Sequence, residues 1–202
     1  MRPSQKLAVF ISGTGSNMMA IHQAILDGAL TNVELALVVS SRADAKGLDY
    51  AKSHGIPTLS LDATQYADSN AYDTALLEQL KCFEVDYIAL AGYLKILSPV
   101  LTQVYTNRIT NIHPSLLPAY GGTHMFGRRV HASVLANEER YTGCTVHVVT
   151  DEVDSGPILG QRSVPVLAED TVETLSQRVL NEEHDLYPKV LQNFINQDVP
   201  LY

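Results

Sequence analysis

The stretch KLAVFISGTGSNMMAI, residues 6–21, reads as a complete strand, turn and helix start. Its first half is an apolar run without polar alternation, the pattern of a strand buried on both faces. Gly13 and Gly15 then punctuate the chain. Met18, Ile21, Ala24 and Ile25 recur at helical spacing over 17–26, and Gly28 offers a stop. A strand that is apolar on both sides needs cover on both sides, so this one unit already predicts an α/β architecture.

The same unit repeats downstream. VELALVVS (33–40), IPTLSL (56–61), VDYIALAG (85–92) and RITNI (108–112) read as buried strands, with helical segments over 44–54, 70–81 and 98–105 between them. The last of these helices opens on a serine cap with proline at its first position. Such alternation implies a mostly parallel, twisted sheet with helices on both faces, a Rossmann-like arrangement. After a Gly/Pro-bearing loop (114–127) come a helix over 130–136 and two strands, GCTVHVVT (143–150) and ILGQRSVPV (158–166). A final helix opens on a capping box of Asp170 and Glu173. Pro188 lies inside its apolar pattern and predicts a kink or break. No repeat or linker divides the 202 residues, so a single domain over 1–202 is expected.

Composition narrows the class. Apolar residues make up 46% and charged residues 18%, as in ordinary globular proteins, and the net charge of −8 lacks the basic footprint of a nucleic-acid binder. Cys82 and Cys144 have no CxxC neighbour, which argues against a disulfide framework or structural zinc and fits a reducing cytosol. No apolar run reaches membrane-spanning length. The expectation is a cytoplasmic protein with small-molecule partners, neither nucleic acid nor membrane among them.

Glycines at the first turn let backbone N–H groups approach a ligand, and the helix start favours an anion. A dinucleotide fingerprint would place a third glycine where Met18 stands, and the second strand would end in an acid rather than in Ser40, Ser41 and Arg42. A Walker Gly-Lys-Ser/Thr is absent. What remains is a single phosphate held by Gly15, Ser16 and Asn17, or a plain tight corner.

ITNIHPSLLP (109–118) follows the fifth strand. In extended chain, Asn111 and His113 face one way and Ile112 the other, while Pro114 ends the strand there. The pair therefore sits at the carboxyl end of a parallel strand, where open α/β sheets place ligands. Asn111 offers N–H donors to a developing oxyanion, and His113 can move a proton near neutral pH. TDEVDSGP (150–157) supplies carboxylates at the next strand end. One of them beside His113 would orient the ring and raise its pKa, although spacing does not say which, and Asp151 and Glu152 fit a solvated turn. His22, His54, His124, His131, His147 and His184 lack metal-ligand spacing. His124 and His147 lie close enough in sequence to line the same site.

SGTGSN, NIHPSLLP and DEVDSGP, with LAGYLKILSP and EEHDLYP, together resemble the folate-dependent phosphoribosylglycinamide formyltransferases nearly end to end. That resemblance implies a formyltransferase fold and transfer of a formyl group from 10-formyltetrahydrofolate to the amine of glycinamide ribonucleotide. No metal would be needed. It implies a phosphate-binding half over about 1–100 and a catalytic and folate half over about 101–202. It carries phosphate and ribose binding to Gly15, Ser16, Asn17, Leu180, Asn181, Glu182 and Glu183, with Glu183 on the ribose. Folate binding falls to Leu94, Lys95, Ile96, Leu97, Asn111, Thr150, Asp151, Glu152, Val153 and Asp154. The implied catalytic trio is Asn111, His113 and Asp154, with Asp154 keeping His113 charged and oriented. A monomer or homodimer fits.

Two departures stand out. Ser69 and Asn70 occupy a place where the family often carries a basic residue, and the loop over 119–131 is longer than in familiar bacterial members. Methionyl-tRNA formyltransferases share the trio but carry a further C-terminal domain and a tRNA surface, which an acidic chain of this length is not expected to provide. Formyltetrahydrofolate hydrolases would use the trio on water and generally carry an N-terminal regulatory domain. A catalytically dead nucleotide-binding module would not be expected to keep the whole trio.

Overall fold

Along the first strand, β1 (Gln5–Ile11), side chains alternate between two separate cores: Leu7, Val9 and Ile11 pack on one face, Ala8 and Phe10 on the other. The computed structural model describes residues 4–196. β1 lies inside a seven-stranded sheet of order β3-β2-β1-β4-β5-β6-β7. The other strands are β2 (Val33–Ser40), β3 (Thr58–Ser60), β4 (Tyr87–Leu90), β5 (Ile109–His113), β6 (Tyr141–Val148) and β7 (Ile158–Pro165). β1 to β5 pair in parallel; β6 and β7 add on antiparallel. The expected architecture is present, and the sheet changes direction beside β5.

Helices α1 (Ser16–Leu26), α2 (Lys46–Ser53), α5 (Arg128–Ala136) and α6 (Val172–Asn196) cover one face. α3 (Ser69–Cys82) and α4 (Pro99–Val104) cover the other. Buried Leu76, Leu77 and Leu80 on α3 keep the spacing read from the sequence, and Tyr72 joins them. Tyr187 of α6 is fully buried, and its hydroxyl reaches the carbonyls of Leu90 and Thr110, both at 3.2 Å. That contact fixes α6 over the ends of β4 and β5.

Several local expectations are corrected. β3 and β4 are shorter than the apolar runs suggested: β3 has one neighbour, and Gly92 at φ 78 turns the chain out after β4. Ser98 occupies the cap position of α4, but its side chain makes no capping bond and its Oγ is unpartnered; Ser98 N–H donates instead to Asp73 Oδ2 at 2.6 Å. The box opening α6 lies one residue later, between Thr171 and Thr174, which exchange N–H to Oγ1 bonds of 2.9 and 3.3 Å. Asp170 is taken by Arg178, and Glu173 pairs with Arg128. Pro188 does not break α6, which runs on through it. Buried packing on both sides, from Val179 to Ile195, outweighs the missing bond to the carbonyl four residues back.

Gly156 closes the loop between β6 and β7 against the sheet. A Cβ there would stand 1.9 Å from the Val148 carbonyl oxygen. Gly156→Ala must therefore displace the 150–157 segment, costing roughly 1–3 kcal/mol or more. A urea midpoint close to that of the wild type would refute this reading of the turn.

Candidate active site

β5 ends at His113, just before Pro114, and β6 lies antiparallel on it with His147 opposite Asn111 and Thr145 opposite His113. Thr145 is fully buried; its Oγ1 donates to Ser115 O at 2.7 Å and accepts the Leu117 N–H at 3.0 Å. One hydroxyl thus clamps the turn that follows His113. Asn111 and His113 share a face, while Ile112 packs into the opposite core.

The 150–157 loop brings Asp154 to the same place with φ 54, a left-handed conformation uncommon for a residue with a Cβ. Asp154 Oδ2 stands 3.4 Å from His113 Nδ1 and accepts the Gly122 N–H at 2.9 Å. Its Oδ1 stands 3.5 Å from His147 Nε2, and Asn111 Nδ2 meets that same nitrogen at 3.1 Å. The three expected residues converge, and His147 joins them as a fourth. Asp151 is not free for His113: it accepts the Thr102 hydroxyl of α4.

His113 Nε2 lies 2.8 Å from Tyr120 O. A carbonyl only accepts, so Nε2 carries the hydrogen and Nδ1 faces the carboxylate. The expected imidazolium is corrected here. Burial lowers the His113 pKa, and the upward pulls of Asp154 and Tyr120 O do not make up that loss, to which His147 adds. Burial works the other way on Asp154, but the two imidazoles, in the charged forms they take at acid pH, and the Gly122 N–H hold its carboxyl below the usual range. The resting pair is a neutral imidazole beside a carboxylate.

These groups form one wall of a cavity of about 650 Å³. Residues 94–97 and 150–154 line it, as do Asn17, Leu180 and Glu183. Gly15, Ser16, Asn181 and Glu182 are not among its walls. Helical periodicity explains the split on α6: Leu180 and Glu183 share a face, while Asn181 accepts from Gln177 at 3.0 Å and Glu182 faces Arg162 at 3.8 Å. Ser69 reaches the cavity, and Asn70 does not. His124 and His147 line it as read from the sequence; His131 was missed. Burial lowers His131 to about 4, with His113 adding to the effect, and its Nδ1 has no partner.

At the α1 and α6 side of the cavity, Glu183 accepts from Asn17 Nδ2 at 2.6 Å. Burial pushes its carboxyl up to about 7 against that bond. Gly15 takes the cap position of α1 at φ 73 and gives no side-chain cap, so the first N–H groups of α1 keep their capacity for an anion. Among the described residues no group of three or more His, Cys, Asp or Glu side chains is placed to hold a metal, and no helix is long and apolar enough to cross a membrane.

The family model described as formyl transferase matches residues 5–191. This chain belongs to the formyl transferase family. It is 45% identical over 188 residues to the chloroplastic phosphoribosylglycinamide formyltransferase of Arabidopsis thaliana, covering 93% of this chain but 64% of that protein, less than two thirds of its length. The phosphoribosylglycinamide formyltransferase of Escherichia coli (strain K12) is 41% identical, with 93% of this chain and 86% of the relative covered. The crystal structure of glycinamide ribonucleotide transformylase 1 from Symbiobacterium toebii superimposes with a TM-score of 0.94 at 39% identity, covering 100% of this chain and 92% of that one. The formyltransferase fold expected from the resemblance is thereby the fold observed.

In this family member the Glu183 carboxyl makes stability depend on pH. Burial lifts it from 4.5 to about 7, so between those values the folded protein keeps a proton that the unfolded chain has released. Stability from this group is full below pH 4.5 and is lost as pH rises through 7. Glu183→Gln, which cannot ionise, should therefore be the more stable form above pH 7, by roughly 3 kcal/mol. Thermal midpoints across that range test this; parallel curves for the two proteins would contradict it.

Proposed function

We propose that this chain transfers the formyl group of 10-formyltetrahydrofolate to the amine of 5-phosphoribosylglycinamide, with small molecules as its partners and the cytoplasm as its compartment. The observation that carries this is the convergence of Asn111, His113 and Asp154 on one wall of the cavity. Two differently built regions flank them. On one side the uncapped start of α1 suits a phosphate and the buried Glu183 suits ribose hydroxyls. On the other, Leu94 and Ile96 are more than half exposed and offer apolar cover to a flat ring system. Residues 150–154 complete that folate side.

The formyl-folate supplies an activated one-carbon amide; the chain supplies donors and a proton path. Asn111 directs an amide N–H toward the carbonyl oxygen, where negative charge grows as the amine nitrogen bonds to carbon. Neutral His113 takes the proton that the amine must lose. Its Nδ1 is the bare nitrogen, and Asp154 at 3.4 Å stabilises the imidazolium that results. His113 then returns that proton to the departing folate nitrogen as the carbon–nitrogen bond breaks. A base that is neutral at rest suits this order better than the charged ring expected from sequence. Association of two copies is compatible with this scheme but not required by it.

The direct test follows formyl-folate consumption with glycinamide ribonucleotide, with water alone and with charged tRNA. Rapid turnover is expected with the first alone; equal rates with water would sink the reading. Asn111→Ala should lower kcat about 10²-fold to 10³-fold, the usual cost of one oxyanion donor.

Asp154→Asn tests the proton path. The acidic limb of kcat reflects loss of neutral His113 as pH falls, below the ordinary imidazole value of 6.5, and Asp154 raises that point. Removing the carboxylate should slow turnover and move the limb to lower pH. A limb that stays in place would exclude His113 as the titrating base.

A further inference from the structure

We propose that His147 is a positioning residue that sets which way the Asn111 amide points, an inference that rests on the reaction proposed above. His147 lies almost fully buried on β6, directly across the ladder from Asn111, next to a register shift between Val146 and His147. Its two nitrogens have different duties. Nδ1 lies 2.9 Å from Val148 O, which can only accept, so the ring hydrogen resides on Nδ1. In the neutral ring Nε2 is then bare and can only accept. Asn111 meets it at 3.1 Å and must present its nitrogen there, because an amide oxygen would face a lone pair.

The distance to Asp154 agrees. Asp154 Oδ1 stands 3.5 Å from Nε2, longer than an ordinary hydrogen bond, as expected where Nε2 has no proton to offer a carboxylate. Asp154 is instead held by the Gly122 N–H at 2.9 Å and faces His113 with its other oxygen. His147 therefore binds one N–H of Asn111 and fixes the amide plane, leaving the second N–H for the substrate oxygen in the cavity that Asn111 lines. Without this acceptor the amide is free to turn its carbonyl toward the site. A carbonyl there would repel the developing oxyanion where an N–H stabilises it. Val148 O thus acts on the reaction through two intervening side chains, and His147 itself need not touch substrate.

The experiment has two arms. In the free protein, NMR of isotope-labelled imidazole nitrogens should show His147 protonated at Nδ1 and bare at Nε2. The opposite tautomer would overturn the inference whatever the enzyme's substrate. In the kinetic arm, His147→Phe should lower kcat roughly tenfold or more with both KM values held, and His147→Gln, which restores an acceptor, should recover most of the loss. In an Asn111→Ala background, His147→Phe should cost almost nothing further, since its whole effect passes through the missing amide. Additive losses, or a His147→Phe kcat within twofold of wild type, would overturn the assignment. Should His147→Phe fail to fold, the tautomer and the Gln variant, also made in the Asn111→Ala background, still decide. If wild-type protein shows no formyl transfer, the reaction proposed above fails, and the tautomer result stands or falls by itself.

Discussion

One register decides where the chemistry sits. With β6 antiparallel on β5, Asn111 pairs with His147 and His113 with Thr145, so all four side chains gather on one face. Their neighbours Ile112, Val146 and Val148 are buried in the core on the other face. A slip of β6 by one residue would turn His147 and Thr145 into hydrocarbon and Val146 and Val148 toward the cavity, leaving Asn111 and His113 without their partners. The apolar alternation that stabilises the sheet edge is therefore also what aims the reactive groups. The parallel strands before β5 deliver the pair to their carboxyl ends, and the reversal of direction at β6 brings a second strand's side chains to meet them.

Within that frame, two buried carboxyls of one cavity hold different charges. Both lose hydration, which favours the protonated form of each. Asp154 accepts a backbone N–H at 2.9 Å and would face two charged imidazoles at any pH low enough to protonate it, so it stays ionised. Glu183 has an amide N–H from Asn17, which leaves it near 7. The asymmetry suits the proposed roles: a permanent anion beside the proton carrier, and a carboxyl that gains its hydrogen-bond partners when sugar hydroxyls arrive. Divergent pKa values in one site are how acid and base duties separate at a single pH.

How much of this the sequence reveals varies with the kind of interaction. The parallel half was readable because β1 and β2 are apolar on both faces, a pattern few other structures produce. The pairing of Asn111 with His113 was readable because alternation is local. His147 was harder. Its part depends on a cross-strand partner 36 residues away and on a register no single segment states. Glu183 carried an unused signal: it is the third position of an i, i+4 stripe whose other members, Leu175, Val179 and Tyr187, are fully buried. An acid in such a stripe is a buried acid. The protonation of His113 was not readable, since it turns on how closely residues 119–122 seal the ring from water. Capping at α6 failed for a related reason, because Arg178, two turns on, claims Asp170.

The sealing loop over 119–131 holds its site mainly through backbone groups. The loop touches the proton path through main-chain atoms: Tyr120 O meets His113 Nε2 at 2.8 Å, and Gly122 N–H meets Asp154 Oδ2 at 2.9 Å. Main-chain contacts are indifferent to side-chain identity, so most of the loop is free to vary. The constraint falls between the two contacts, at Gly121. A Cβ there would stand 2.6 Å from Leu117 Cδ2 and 3.3 Å from Asp154 Cβ. Residue choice is therefore tight where the backbone passes the carboxylate and loose beyond it. The start of the loop is secured by Thr145, which accepts the Leu117 N–H at 3.0 Å, and by the Tyr120 hydroxyl on Glu139 at 2.8 Å; its far end runs into α5, where Val130 and His131 are buried. Insertions between such anchors cost mainly closure entropy, which grows slowly with length, so extra residues burden the site little as long as those two backbone groups arrive in place.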